Sequence, residues 1–253
     1  MLASASPLGP ARTEEPWFRL VVLYSLLSAP CPLIPVPLLD DWVVDRVRKR
    51  MIVDLARGRV PVTEREVDIL AGLERQHSGC FLLTVVATAL RLVFKLLGGV
   101  FRKVLFFLTI KDCVTATSRT FHEGYLLHRA LDGPSAGLDA FRVRSAVAAA
   151  IAEVDPQPVR GVIRGVLRTG KEALVGTARL FGRTFRRRVD RVAGEAAVPV
   201  REGEALVGGL VDQLAAALGQ DREHLARLDA ALFRALQAER LDPPERNRET
   251  SGR

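Results

Sequence analysis

Three ionisable side chains in the stretch HEGYLLH form the first candidate for chemistry in this sequence. His122, Glu123 and His128 lie close together along the chain, and both residue types are common zinc ligands. Two histidines on one helix share a face at a spacing of three or four residues, whereas these two are six apart. Ser118 is within hydrogen-bonding reach of His122 on a helix, but no orienting acid or nucleophile elbow accompanies it. We predict no metal site and no catalytic residue here, and expect solvated or helix-capping histidines.

A second candidate is GVLRTGKE, residues 165–172, which matches the GxxxxGK pattern of a phosphate-binding loop. In that loop a serine or threonine follows the lysine and binds magnesium, but here Glu172 follows Lys171 and would repel phosphate. No predicted strand precedes the motif. The paired acids Asp40 and Asp41 are explained by helix capping. The sequence therefore predicts a protein that is not an enzyme and binds no cofactor.

The most regular feature is a row of cations opposite an apolar sector in one predicted helix over 160–191. Residues 155–195 hold ten Arg and Lys against four Asp and Glu, in a chain of net charge +8. On a helical wheel the spaced cations cover about 140°. The predicted basic face consists of Arg160, Arg164, Arg168, Lys171, Arg179, Arg183, Arg186, Arg187 and Arg188.

Such a helix has three possible partners. An anionic membrane supplies an apolar layer for one face and negative charge for the other. Packing on the protein's own core would use the apolar face and leave the cations in solvent. Nucleic acid is the least favoured partner, because the basic face carries no aromatic side chain for base stacking.

Two apolar segments also favour lipid. Residues 20–39 carry no charge, but four prolines interrupt a helix there, so an interfacial or re-entrant insertion fits better than a membrane span. A buried arm packed on a helical core is the alternative. Residues 80–110 are the most apolar stretch, with Arg91, Lys95 and Arg102 grouped on one side. The side chains predicted to enter the membrane are Phe81, Leu82, Leu90, Phe94, Leu97, Phe101, Phe106 and Phe107.

The remaining segments read as amphipathic helices, so the predicted fold is all-α. We expect a multi-helix assembly with one very apolar central helix or helical pair and a C-terminal helical hairpin that turns at 219–221. Thr63 with Glu66 predicts a capping box, and Asp155-Pro156 a break. The predicted organisation is a flexible leader over 1–16, a helical domain over 17–154, a basic amphipathic helix with the hairpin over 155–241, and a disordered tail over 242–253.

These features together predict a non-enzymatic, membrane-associated scaffold or adaptor, of unknown process, on the cytoplasmic face of a bacterial membrane. Three separated cysteines without a CxxC pair indicate reduced, buried thiols. The expected partners are anionic membrane lipids, with a possible protein partner on helices 40–57 and 203–240. The alternative is a soluble helical bundle that binds a lipid-like ligand or a protein partner through its apolar interior.

Overall fold

The computed structural model describes residues 15–30, 39–59, 61–72, 102–133, 135, 137–189 and 200–241. These ranges contain helices and short turns and no strand, which confirms the predicted all-α, multi-helix fold. The helices are α1 Pro16–Ser28, α2 Leu39–Ala56, α3 Glu64–Ala71, α4 Arg102–Leu131, α5 Ala140–Glu153, α6 Gln157–Thr169, α7 Lys171–Val189, α8 Val200–Gln220 and α9 Arg222–Leu241.

Helix α4 is the longest described helix and lies at the centre of the bundle. It packs on α1, α2, α5, α6 and α9, and every residue from 120 to 130 is buried. The centre of the described bundle is therefore a helix that begins at Arg102. Most of the apolar segment 80–110 lies outside the described residues.

Helix α1 is buried inside the protein rather than available to a membrane. Residues 21–30 are all buried, because α4, α8 and α2 pack around the helix. A helix that is apolar on all sides needs such a complete cover or a bilayer. The polar groups are satisfied as well, since Ser25 donates to the Val21 carbonyl and Ser28 to the Ser25 carbonyl. The prediction that residues 20–39 anchor the chain in a membrane is thus wrong for residues 21–30, and the buried-arm alternative holds there.

Local sequence signals set several helix ends as predicted. The capping box is present, because Thr63 Oγ1 accepts from the Glu66 amide while the Glu66 carboxylate accepts from the Thr63 amide. Gly58 follows α2 in the left-handed region, with φ of 77°. The prediction that Asp40 and Asp41 serve as helix caps is wrong, because α2 already begins at Leu39. Asp40 lies in the first turn, where a negative charge is favoured by the helix dipole.

The predicted basic helix over 160–191 is two helices, α6 and α7, which meet at Gly170. A β-carbon at Gly170 would lie 2.2 Å from Leu210 Cδ1 of α8. At this joint the Leu210 side chain of α8 lies against the Gly170 backbone, so a larger residue would require that side chain to move. Both helices pack on α8, which fixes their position in the bundle.

The predicted break at 155–158 separates α5 from α6 but does not separate two cores. Helix α9 packs on α5, and α8 packs on α1, so buried apolar residues from both sides form one cluster. The chain also turns at Asp221, between α8 and α9. These two helices do not pack along each other as the predicted hairpin would, because α8 rests on α1, α6 and α7 while α9 rests on α5 and α4.

The tight contact at Gly170 predicts opposite effects for two glycine-to-alanine substitutions. Gly170→Ala should lower the free energy of unfolding by about 1–3 kcal/mol, because the new methyl group overlaps Leu210. Gly161→Ala should raise it by about 0.5–1 kcal/mol, because alanine favours the helix and nothing lies within 4 Å of the site. Urea unfolding of the two variants measures both values. Equal destabilisation by the two substitutions would contradict the Gly170 contact.

Candidate functional site

Most of the polar groups in the described core belong to the central helix. The buried polar and charged residues of α4 are Thr117, Ser118, Thr120, His122, Glu123, His128 and Arg129. His122 and His128 are each only 2% exposed, so the prediction of solvated or capping histidines is wrong. A buried polar group needs a partner, and the partners of these groups define three clusters between α4 and its neighbours.

The first cluster surrounds the Glu123 carboxylate with three guanidinium groups. Arg119 Nε and Arg144 Nη2 donate to Oε1 at 3.1 and 3.3 Å. Arg48 Nε lies 3.1 Å from Oε2 as an ion pair without hydrogen-bond geometry. Burial lowers the pKa of the Arg48 guanidinium, whereas the Glu123 carboxylate opposes that change. The cluster ties α2 and α5 to α4, and both oxygens of the Glu123 carboxylate face guanidinium groups.

The second cluster joins α4 to α9 through Asp229. Arg129 Nε and Nη2 donate to its two carboxylate oxygens, each at 3.0 Å, in the bidentate geometry that makes such pairs strong. The Tyr125 hydroxyl donates to Oδ1 at 3.1 Å. Burial raises the pKa of Asp229, and the hydrogen bonds from Arg129 counteract it. This arrangement is a link between helices, with both carboxylate oxygens occupied.

The third cluster is a pair of imidazoles. His122 Nδ1 lies 2.6 Å from the Ser118 carbonyl oxygen, and a carbonyl can only accept, so Nδ1 carries the proton. His122 Nε2 is then the acceptor for His224 Nε2–H of α9, 3.1 Å away. Burial lowers the pKa of His122 to about 4. Because Nδ1 is protonated, His122 cannot take a proton from Ser118 Oγ, and the pair is not a serine–histidine dyad.

His128 lies one and a half turns further along α4, in a different environment. Its ring stacks on the indole of Trp17, with centroids 3.7 Å apart and an interplanar angle of 11°. Neither ring nitrogen has a hydrogen-bond partner among the described residues. Burial, together with the charges of Arg59 and Arg129, lowers the pKa of His128 to about 3. A neutral imidazole with two unpartnered nitrogens lowers the stability of the fold.

Metal ligands do not assemble in the part of the chain that the structure describes. No three His, Cys, Asp or Glu side chains there are placed to hold an ion. Cys113 is a buried, unpaired thiol, and burial raises its pKa to about 12. A cavity of about 260 Å³ lies between α3 and α5, below the usual volume of ligand sites. Its apolar wall includes Val62, Leu70 and Val143.

The basic face is divided between α6 and α7. Arg164 and Arg168 of α6 and Arg179 of α7 are exposed, while Arg160 is half-buried. No described carboxylate forms an ion pair with Arg164, Arg168 or Arg179. For five further cations of the basic face the structure describes the backbone, as part of α7, but not the side chain: Lys171, Arg183, Arg186, Arg187 and Arg188.

The apolar sectors of α6 and α7 face the protein. Val159, Ile163 and Leu167 of α6 are buried, as are Leu174 and Phe181 of α7. The prediction that this sector meets a lipid layer is therefore wrong for these residues, because α4 and α8 provide the apolar surface instead.

The side chains predicted to enter a membrane are not placed by the structure. Phe106 and Phe107 belong to the backbone of α4, and their side chains lie outside the description. Phe81, Leu82, Leu90, Phe94, Leu97 and Phe101 lie outside the described residues. Among the helices that are described, none combines the length and apolarity needed to cross a bilayer.

Sequence reasoning missed the partners of α4 on other helices, which lie 21 to 104 residues away along the chain: Arg48, Arg144, His224 and Asp229. One signal for Asp229 was available. It falls on the same helical face as Leu225 and Leu232, at spacings of four and three residues, and a charge inside an apolar face requires a buried partner. Comparison with known proteins gives no matching family, no matching curated protein and no matching solved structure.

The Glu123 cluster predicts a large cost for loss of one carboxylate. Glu123→Gln should lower the free energy of unfolding by about 3–5 kcal/mol, because buried guanidinium groups lose their counter-charge. Glu153→Gln is the matched control, since its ion pair with Arg234 is about half exposed and should contribute less than about 1 kcal/mol. Urea unfolding at neutral pH measures both. A similar loss in the two variants would contradict a central role for Glu123.

The hydrogen-bond patterns of two histidines predict opposite effects for the same substitution. His128→Leu should leave stability at pH 7 unchanged or raise it by about 1 kcal/mol, because no hydrogen bond is lost. His122→Leu should lower it by about 2 kcal/mol, because the Ser118 carbonyl and His224 lose their partner. Thermal unfolding followed by circular dichroism tests the pair. Stronger destabilisation by His128→Leu than by His122→Leu would show that the two environments are assigned the wrong way round.

Proposed function

We propose that this chain is a non-enzymatic, membrane-associated helical scaffold or adaptor, held on the cytoplasmic face of a bacterial membrane by anionic lipids. The observation that supports the proposal is the exposure of Arg164, Arg168 and Arg179 without ion pairs to described carboxylates. Cations in this state keep their charge available for an external anion.

The mode of attachment in this proposal is electrostatic at the basic face. Each cation near an anionic surface contributes about 1 kcal/mol, so the three exposed arginines would supply about 3 kcal/mol. The apolar faces of α6 and α7 are used by the core, so these helices would lie on the headgroups without inserting. Attachment of that strength is reversible, and a second contribution is assigned to the apolar segment 80–101.

The state of the buried groups supports a non-catalytic role. The carboxylates of Glu123 and Asp229 are occupied by arginines, and His122 is committed to Ser118 and His224. Groups that satisfy one another inside a core stabilise the bundle and are not free for proton transfer with a substrate. Nucleic acid is not proposed as a partner, since the basic face has no stacking aromatic.

Vesicle flotation tests the proposal. Wild-type protein should float with vesicles of phosphatidylcholine and phosphatidylglycerol, and not with phosphatidylcholine alone. The variant Arg164→Glu/Arg168→Glu/Arg179→Glu should lose about 100-fold in partitioning, which corresponds to about 3 kcal/mol. The control Arg57→Glu/Arg65→Glu/Arg222→Glu changes the net charge equally at other exposed positions and should keep most of the binding.

Two results would overturn the proposal. An equal loss in both triple variants would mean that net charge, and not the basic face, drives binding. Absence of wild-type binding to either vesicle would favour the alternative of a soluble helical bundle whose interior binds a lipid-like ligand or a protein.

A further inference from the structure

One hydrogen atom fits between the Nε2 atoms of His122 and His224. The two Nε2 atoms are 3.1 Å apart, and His122 Nδ1 already donates to the Ser118 carbonyl. The hydrogen between the rings must therefore come from His224. Its other nitrogen, Nδ1, is buried and has no partner among the described residues. Both imidazoles are neutral in this arrangement, and each holds its helix to the other.

We propose that this pair is an acid-sensitive latch, and that protonation of both imidazoles releases the first two turns of α9, residues 222–228, from α4. When both rings are protonated, each Nε2 carries a hydrogen and a share of positive charge. Two such donors cannot remain 3.1 Å apart, because neither can accept from the other. The release therefore follows from the geometry of the pair and is separate from the proposed membrane function.

The charges around His122 do not compensate a second proton. Arg160 of α6 adds positive charge beside it. Glu123 is the nearest carboxylate on α4, and its oxygens are shared by Arg119, Arg144 and Arg48. Helix α1 approaches the His122 ring through aromatic contacts. Phe18 of α1 packs edge-on against Phe121, and Phe121 packs edge-on against His122. Neither phenylalanine carries a charge.

The charges around His224 favour the first proton. Asp221 and Asp155, in the turns before α9 and α6, favour its charged form, while Arg227 opposes it. A first proton is thus accommodated near His224, and the shared hydrogen bond to His122 survives. Only the second proton breaks the contact. The latch consequently responds to the second proton and not to the first.

The direction of the pH effect follows from burial. Burial lowers the pKa of His122 to about 4 and also lowers the pKa of His224, whereas a released imidazole titrates near pH 6.5. The released state therefore binds more protons than the closed state as the pH falls from about 6.5 to 4. The population of the released state should rise by up to about tenfold for each unit by which the pH falls, for each histidine.

The links that follow along α9 limit the opening. Asp229 is held by Arg129 and Tyr125. Burial raises the pKa of Asp229, so this link also weakens in acid. Near the end of α9, Arg142 donates to the Glu239 carbonyl at 2.9 Å. The opening should therefore expose Leu225 and Leu228 while the rest of α9 stays on α5.

Spin-label distances test the latch in the full chain. Thr115→Cys on α4 and Ala226→Cys on α9 are exposed positions, introduced after Cys31, Cys80 and Cys113 are replaced by alanine. At pH 7.5 the distance distribution should have one narrow peak. At pH 4.5 a second, longer peak should appear, with the helical circular dichroism retained.

Two further substitutions separate the latch from general acid damage. His224→Gln keeps a donor for His122 but removes one titrating ring, so its distance should stay unchanged at pH 4.5. His128→Gln removes a buried histidine outside the pair and should open like the wild type. The proposal is overturned if the wild-type distance does not change, if His224→Gln opens equally, or if both proteins lose their helical signal together.

Discussion

The fold depends on the pairing of ionisable side chains that the central helix carries into the core. A buried charge without a partner is costly, and the cost falls when an opposite charge and hydrogen bonds meet it. Glu123 meets arginines of α2, α4 and α5, and Arg129 meets Asp229 of α9. Except for Arg119–Glu123, which lies within α4, each pair forms only when two different helices are in register. The pairs consequently specify which helices surround α4, in addition to any stability they contribute.

The same constraint explains why an apolar helix that could suit a bilayer lies inside this bundle. Arg19 is the one charged residue of α1, and it reaches Glu204 and Asp212 of α8 at 2.9 and 3.0 Å. That single cation marks the one direction in which α1 faces solvent. With α2, α4 and α8 around it, the protein supplies the apolar surroundings that a membrane would otherwise supply. Hydropathy alone does not distinguish these two environments, because both remove the same side chains from water.

The sequence predicted features that depend on neighbouring residues, but it did not predict contacts between residues that are far apart in the chain. The Thr63 capping box and the break at Asp155-Pro156 depend on neighbouring residues, and both were predicted. The burial of His122 depends on His224, about a hundred residues away, and periodicity carries no information about such a partner. The sequence did not predict the break between α6 and α7 at Gly170 for the same reason, because the side chain that packs against Gly170 is Leu210 of α8. Of the predicted basic face, Arg164, Arg168 and Arg179 are exposed and Arg160 is half-buried, while the buried apolar residues of the same helices pack on α4 and α8, which was the alternative to lipid.

The placement of charge differs between the interior and the basic face, and this difference connects structure to the proposed function. Inside, the guanidinium groups around Glu123 and Asp229 lie 3.0 to 3.3 Å from a carboxylate. On α6, Arg164 and Arg168 have no such partner, and the neighbouring Gly161 and Gly165 have nothing within 4 Å. Each glycine lowers helix stability by up to about 1 kcal/mol relative to alanine, and packing does not require either one. Within the described residues, the charged groups of the core thus lie against opposite charges, whereas Arg164 and Arg168 on the surface do not.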